Sequence, residues 1–567
     1  MSISLNSSLP NQAKIFGSLF ISIALTACGG GGGASNSNDT PIVIIEEPEE
    51  PELDHSGLTP VESDIIDNTE YLAGGDVTLF VTNDKAFETR PDAIADDFTF
   101  DSFFTQGDHL FRTAHDDSGP LMNSDTCQSC HINDGRGEIS DDIDTPFIST
   151  LIKISDSAGN EDPIYGDQIQ IFAEQSFSTS DLSAGIAQYD ASINGDQLFG
   201  EAYVFVEYQD INGTYPDGTA FTLRNPVYKI KSPSFGPFTE DIQFSVRMAP
   251  SVFGTGLLDA IPADNILALA DESDSDNDGI SGRASMVTDA ISGETVLGRF
   301  AYKAQAATVL QQSAAAYRGD IGLTNSLATA ENCTDLQLAC QVLAEQEGEV
   351  GDDYDVSDRE LALVEFYTSV LGVPARRGYD SNSQTWDADI SEGRRLFFES
   401  GCIGCHTPRH VTADANGSAL GDIPLIGDPD PTDAADIIEP LSNQTIYPYT
   451  DLLLHDLGGS CAVTRELADG TSCTEGEACY YVQRCEGLAD GVAQGDAIGS
   501  EWKTPALWGL GLVQTVNSDS TFLHDGRART IEEAILWHGG EAEAAKSNFM
   551  ELDASARTQM LQFLSSL

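Results

Sequence analysis

Two five-residue runs constrain this chain more than anything else in it: Cys127-Gln128-Ser129-Cys130-His131 and Cys402-Ile403-Gly404-Cys405-His406. Each sets two thiols one turn apart with an imidazole directly after the second. That spacing suits two thioether bonds to the vinyl groups of a haem, with the histidine beneath the iron. Two occurrences in a chain with only nine histidines and eleven cysteines leave little room for accident. Zinc is the poorer reading, because a structural zinc needs four ligands close together and no second cysteine pair lies near either run. The chain is therefore expected to carry two c-type haems, attached through Cys127, Cys130, Cys402 and Cys405, with His131 and His406 as axial iron ligands.

The remaining cysteines fit an exported protein. Lys14 precedes an apolar run, Ile15 to Leu25, too short to span a bilayer as a mature helix. It ends in Leu25-Thr26-Ala27-Cys28-Gly29, which has the form of a bacterial lipobox, so Cys28 is expected to become a lipidated first residue. Residues 1–27 then read as a lipoprotein signal peptide. Residues 28–63, rich in Gly, Pro and clustered acid, read as a flexible tether. No later stretch has the composition of a membrane-spanning helix. The expected location is the cell envelope of a Gram-negative-type bacterium, periplasmic or on the outer-membrane surface, with the lipid as its membrane attachment. Six cysteines are left for disulfides. Cys333 and Cys340 form the natural local pair, while Cys461, Cys473, Cys479 and Cys485 allow three connectivities.

At 567 residues the chain has room for two or three domains with their own cores. Its 27 basic against 92 acidic residues give a formal net charge of −65, which excludes nucleic acid as a partner, since phosphate would be repelled. Helical patterns recur at 299–317, 358–371, 390–398 and 554–567. Between about 145 and 240, runs such as Tyr203-Val204-Phe205-Val206-Glu207-Tyr208 and Phe221-Thr222-Leu223, broken by Asn-Gly and Asp-Gly, have strand and hairpin chemistry. The expected fold is mainly α: two cytochrome c-type haem domains with a β-rich insertion between the haem motifs. Residues 64–374 form the N-terminal unit, with that insertion, and 375–567 the C-terminal unit.

Two further stretches carry chemistry. Asp274-Ser275-Asp276-Asn277-Asp278-Gly279 offers carboxylates at alternate positions before a glycine, the first half of a Ca²⁺ loop. The twelfth position holds Ser285 rather than Glu, so Asp274, Asp276 and Asp278 would need ligands from elsewhere; an ion-free acidic turn is the competing reading. Near the C-terminus, Thr530 is placed to cap a helix whose first turn carries Glu532 and Glu533 and which stops at Gly539-Gly540. His538 then stands at the helix end, free to lean toward a cofactor. His455, beside Asp456, is a candidate at a haem edge. His524 and Arg527, with Arg529, are candidate propionate partners, since guanidinium pairs bidentately with carboxylate. Trp502 and Trp508 are candidate relays, with core packing the commoner use of a buried Trp. His55 and His410 receive no role.

The two haem motifs, Trp502-Lys503-Thr504-Pro505-Ala506-Leu507-Trp508-Gly509-Leu510 and the His524-Asp525-Gly526-Arg527 turn resemble the bacterial di-haem cytochrome c peroxidases and the related enzyme MauG. More narrowly, Asp278-Gly279-Ile280-Ser281-Gly282-Arg283, Gly298-Arg299-Phe300-Ala301-Tyr302-Lys303-Ala304 and Tyr449-Thr450-Asp451-Leu452-Leu453-Leu454-His455-Asp456 resemble the di-haem oxidoreductase family, formerly described as thiol oxidoreductases. The resemblance covers most of the chain after about residue 95. It implies an oxidoreductase that reduces hydrogen peroxide, one haem relaying electrons to the other from a donor protein such as a small cytochrome or cupredoxin. In the peroxidases the distal ligand of the C-terminal haem, a Met, lies fourteen residues beyond the His of the turn; here that count from His524 reaches His538. The resemblance thus implies His406/His538 ligation, which lowers the potential relative to His/Met. It also places the peroxide pocket near Arg247 and Met248, without an assigned acid–base residue. His109 and His115 are candidates for the sixth position of the first haem. A non-enzymatic electron-transfer cytochrome, or oxidation of a protein or metal substrate in the manner of MauG, are the alternative expectations.

Overall fold

The structure, a computed structural model, describes residues 66–115, 118–140, 145, 147, 149–173, 200–231, 233–347, 354–420, 437–474 and 479–567. The expected leader, Cys28, the tether and His55 lie outside these residues. No helix among the described residues is long and apolar enough to cross a membrane.

Helix accounts for 29% of residues and strand for 21%, so the expectation of a mainly α protein is wrong. Helices and sheets share the architecture. The physical reason lies in long-range pairing. The strands β1 (Tyr203–Thr214) and β2 (Ala220–Lys231) form a hairpin of twelve residues a side. It is extended to four strands by β3 (Cys461–Glu466) and β4 (Tyr480–Cys485), in the order β3-β4-β2-β1. Segments far apart in the sequence thus complete one sheet, with Val482 opposite Lys229 and Cys461 opposite Cys485. A second, three-stranded sheet orders Gln168–Ile169, Thr150–Ser155 and Gln243–Met248. Ile152, Ile154, Val204, Val206, Ile230, Phe244 and Val246 form a common core between these sheets.

The Asn212-Gly213 pair does not turn. It sits inside β1, where Gly213 pairs with Phe221 and that aromatic ring covers the space a side chain would fill. The reversal comes at Tyr215-Pro216-Asp217-Gly218, with Gly218 at φ 91°. The expected helix at 299–317 is also shorter, running from Val309 to Ala316. Before it, Arg299 sends its guanidinium into a buried set of carbonyls, those of Leu258, Asp259 and Ile261, and the chain turns through Ala301 and Ala304 at positive φ. Tertiary anchoring overrides the periodic pattern.

Four helices form two matching pairs. α1 (Phe98–Arg112) packs on α2 (Asp358–Val370), and α3 (Ala388–Glu399) packs on α4 (Ala554–Ser566). Each begins on a side-chain cap: Asp97, Ser357, Asp387 and Asp553 accept backbone N–H groups of the first turn. At each crossing the chain places a glycine. A Cβ on Gly107 would overlap the Leu363 carbonyl, and one on Gly393 the Gln559 carbonyl, so only glycine lets the backbones approach so closely. Four residues after each glycine comes a phenylalanine, Phe111 or Phe397, set against an aromatic of the partner helix: Tyr367 at 5.4 Å and Phe563 at 5.3 Å.

Among the described residues three disulfides are formed: Cys333–Cys340, Cys461–Cys485 and Cys473–Cys479. This selects one of the three connectivities left open among the last four cysteines.

Candidate functional site: two equivalent Cys-x-x-Cys-His turns

Both motifs fold identically. Cys127–Ser129 and Cys402–Gly404 are single 3₁₀ turns. In each, the first cysteine's carbonyl accepts from the histidine N–H at 3.0 Å. Thr126 caps the first turn through Gln128 N, and Gly401, at φ 88°, opens the second. Thiols at i and i+3 with the imidazole next in sequence give the spacing that two thioether bonds to a haem require. These four cysteines are the free ones among the described residues.

The two motif histidines are held alike. His131 Nδ1 donates to the Pro250 carbonyl at 2.7 Å, and His406 Nδ1 to the Tyr449 carbonyl at 3.1 Å. A carbonyl only accepts, so Nδ1 carries the proton and Nε2 keeps its lone pair, the tautomer a metal ligand requires. Burial holds both rings neutral, pushing them down to about 4. Phe111 lies 6.0 Å from His131, and Phe397 6.1 Å from His406. Free paired sulfurs, neutral rings and a bare Nε2 at both places fit a covalently attached haem.

The surroundings then diverge. The expected helix is present as Ile531–Trp537, with Thr530 accepting from Glu533 N at 3.1 Å and His538 at its C-terminal end. His538 Nδ1 donates to the Ala534 carbonyl at 2.8 Å, so its Nε2 is also free to bind metal. His538 and His406 are close enough for the charge of one to disfavour protonation of the other. At His131, burial outweighs the raising effect of the Pro250 hydrogen bond. His109 is exposed and pairs with Thr113. His115 is packed edge-on against Tyr317 at 5.5 Å, its Nε2 buried without a hydrogen-bond partner.

Arg247 and Met248 lie on the strand that leads into Pro250, the residue behind His131. Arg247 is buried and bonded to Ser245 Oγ at 3.0 Å and Gln494 Oε1 at 2.7 Å. Met248 is fully buried; its N–H donates to the His524 carbonyl at 2.8 Å and its carbonyl accepts from Tyr302 OH at 2.8 Å. His524 stacks on Trp502 with ring centroids 3.8 Å apart and 16° between planes. Trp502 in turn pairs across a short ladder with His455, whose ring lies 3.4 Å from Cys405 Sγ. The Trp502–His524 stack therefore links the segment behind His131 to the second motif. Arg527 is held by Asp525 at 2.7 Å and by the Gly487 carbonyl, with its guanidinium over Trp537; Arg529 pairs with Glu533. Trp508 packs in the core against Gly254. His410 is buried and bonded to the Thr450 carbonyl.

Asp274, Asp276 and Asp278 place a carboxylate oxygen each within 4.8 Å of one another on the surface. Ser285 points away and bonds the Ala304 carbonyl.

Three features lay beyond sequence reasoning. Tyr449, whose carbonyl holds His406, has φ 55°, uncommon for a residue with a side chain, and its hydroxyl donates to the buried Glu70. Lys503 is half-buried, its amine pushed down to about 8 by desolvation despite Asp451 nearby, and among the described residues it makes no ion pair. Glycines 107 and 393 mark the crossings; the shared Gly-x-x-x-Phe spacing ahead of each haem motif was the available signal.

A family described as "Di-haem oxidoreductase, putative peroxidase" matches residues 69–474 and 480–567. No curated protein matches. Among solved structures, a hydrazine synthase of Kuenenia stuttgartiensis pressurised with xenon is similar at 17% identity, covering 42% of this chain and 63% of that one. Its TM-score of 0.20 carries no structural argument, and the match spans less than two thirds of that chain. With the family match running over nearly all of the described residues, this chain belongs to the di-haem oxidoreductase family.

Proposed function

We propose that this protein is an exported di-haem c-type oxidoreductase that reduces hydrogen peroxide, two electrons and two protons converting each molecule to two waters. The electrons come from a small donor protein such as a cytochrome or cupredoxin. The observation that carries the reading is the unlike surroundings of two equivalent motifs. His406 has His538 as its neighbour, whereas the partners of His131 among the described residues are the Pro250 carbonyl and the Phe111 ring. On this reading the His406 site passes electrons and the His131 site takes the oxidant.

Bound haem supplies the redox chemistry, and the protein supplies orientation, potential and access. Cys127 and Cys130 would hold one haem, Cys402 and Cys405 the other. Pro250 and Tyr449 fix the rings of His131 and His406 through Nδ1, which would leave each Nε2 to hold a haem iron. Lys503, half-buried near Asp451 with its amine pushed down, is suited to a haem propionate, which would return it to the charged form. The Trp502–His524 stack offers an aromatic path between the sites. The same proposal includes a lipid anchor at Cys28 in the bacterial cell envelope, and Ca²⁺ at Asp274, Asp276 and Asp278.

Electron paramagnetic resonance of the purified ferric protein tests this, repeated after one-electron reduction and after peroxide. The expected result is one bis-histidine low-spin signal and one high-spin signal, present at once or after partial reduction, that changes with peroxide. Two low-spin signals indifferent to peroxide in every state would overturn the peroxidase reading and leave an electron carrier.

A further inference from the structure

His455 stands where the two sides of the second site meet. Its side chain is 3% exposed. Nε2 lies 2.8 Å from Asp451 Oδ2 and Nδ1 lies 2.7 Å from Glu541 Oε2. Ionised carboxylates only accept, so both ring nitrogens donate and the ring is an imidazolium. Burial alone would favour the neutral ring; the hydrogen bonds to Asp451, Cys405 and Glu541 reverse this and push it up to about 12.

The two carboxylates belong to different walls of the site. Asp451 follows Tyr449 by two residues, and its N–H donates to the Cys405 carbonyl at 3.1 Å. It is therefore part of the segment that holds His406 from behind. Glu541 follows His538 by three residues. Between them stand Gly539 and Gly540, which have no side chain with which to anchor the turn. Gly540 itself is pressed so close to the Asp456 carbonyl that a Cβ would overlap it. Glu541 is thus the first side chain after His538 able to fix that end of the helix. Besides His455 it accepts from Ser281 N at 3.2 Å, from Ser281 Oγ and from Asp456 N at 3.4 Å.

We propose that His455 is a positioning residue for the second haem: a bridging imidazolium that ties the segment behind His406 to the turn behind His538, so that the two imidazoles that would hold this haem keep their places. The inference rests on the di-haem reading above. It assigns His455 no contact with the reacting atoms.

The test uses the full-length, haem-loaded protein with Glu541→Ala, Glu541→Gln and His455→Phe. Covalent haem content is measured by mass and by the pyridine haemochrome spectrum, folding by far-ultraviolet circular dichroism. The readouts are the bis-histidine low-spin signal of the ferric protein and carbon monoxide binding to the reduced second haem, which two tight imidazoles exclude. Glu541→Ala is expected to raise the carbon monoxide-reactive fraction of that haem at least tenfold and to convert low-spin signal to high-spin. Glu541→Gln, which keeps an acceptor oxygen, should restore most of the low-spin signal. His455→Phe should act at least as strongly as Glu541→Ala; should it not fold, the half-buried Glu541 still decides. A folded Glu541→Ala protein with two haems, an unchanged low-spin signal and no added carbon monoxide binding would overturn the clamp alone. A wild-type protein without covalent haem would overturn the reading beneath it.

Discussion

Glu70→Gln tests how the second site is braced. Glu70 is 1% exposed, and its Oε1 accepts from Arg376 Nη1, from Arg394 Nε at 3.2 Å and from Tyr449 OH. Both guanidinium groups are buried, Arg376 over the rings of Trp386 and Phe563 and Arg394 over Phe398. One anion therefore serves two desolvated cations and the hydroxyl of the residue whose carbonyl holds His406. The amide keeps the shape and can still accept, but the negative charge is gone. Removing one partner of a buried ionic set costs about 3–5 kcal/mol, because the charges left behind are uncompensated. That is a large share of a typical net stability of about 5–15 kcal/mol. With about 2.1 cal/mol/K of unfolding entropy per residue over roughly 500 residues, melting falls by about 3–5 °C. Calorimetry of the haem-loaded variant measures this, and the ferric low-spin signal reports in parallel whether His406 has shifted. A fall under about 1 °C would refute the reasoning, since it would mean the guanidiniums find other anions or water at no cost.

Other outcomes follow from single contacts. Thr530→Ala removes the side-chain cap on Glu533 N and should cost about 1 kcal/mol, read as a lower melting midpoint and a weaker low-spin signal as the helix before His538 frays. Replacing Cys461 and Cys485 together by Ser opens a disulfide spanning 24 residues between β3 and β4 and should cost about 3 kcal/mol by chain entropy, measured by chemical denaturation. Glu541 shows the pH dependence. Burial would raise its carboxyl, but hydrogen bonds from His455 and Ser281 hold it down at about 2, against an ordinary 4.5. Its contribution is present above 4.5 and is lost as the pH falls through 2. An acid titration of the ferric low-spin signal should accordingly show loss between those values in the wild type, and no such step in Glu541→Ala.

The parts of the fold that were legible are those set by neighbours in the chain. Cys-x-x-Cys-His makes its own 3₁₀ turn, Thr530 caps the helix it precedes, and Cys333 meets Cys340 because they stand only seven positions apart. The strand content was underestimated because a ladder such as β4 on β2 is decided by partners far apart in sequence. Likewise, residues 299–308 carry helical spacing, yet Arg299 finds buried carbonyls whose contacts outweigh local propensity.

By itself, then, the sequence determined the two Cys-x-x-Cys-His turns, the paired thiols and imidazole each presents, and that His538 ends a helix. Spacing within a turn or helix carries that information, because covalent geometry leaves such short segments few conformations. Only the tertiary structure decided that His131 and His406 have unlike surroundings, that Glu70 braces Tyr449, and that His455 joins nearby Asp451 to Glu541, which lies 86 residues from His455. Those contacts depend on how separate segments pack. A buried charge takes whichever partner the packing brings within reach.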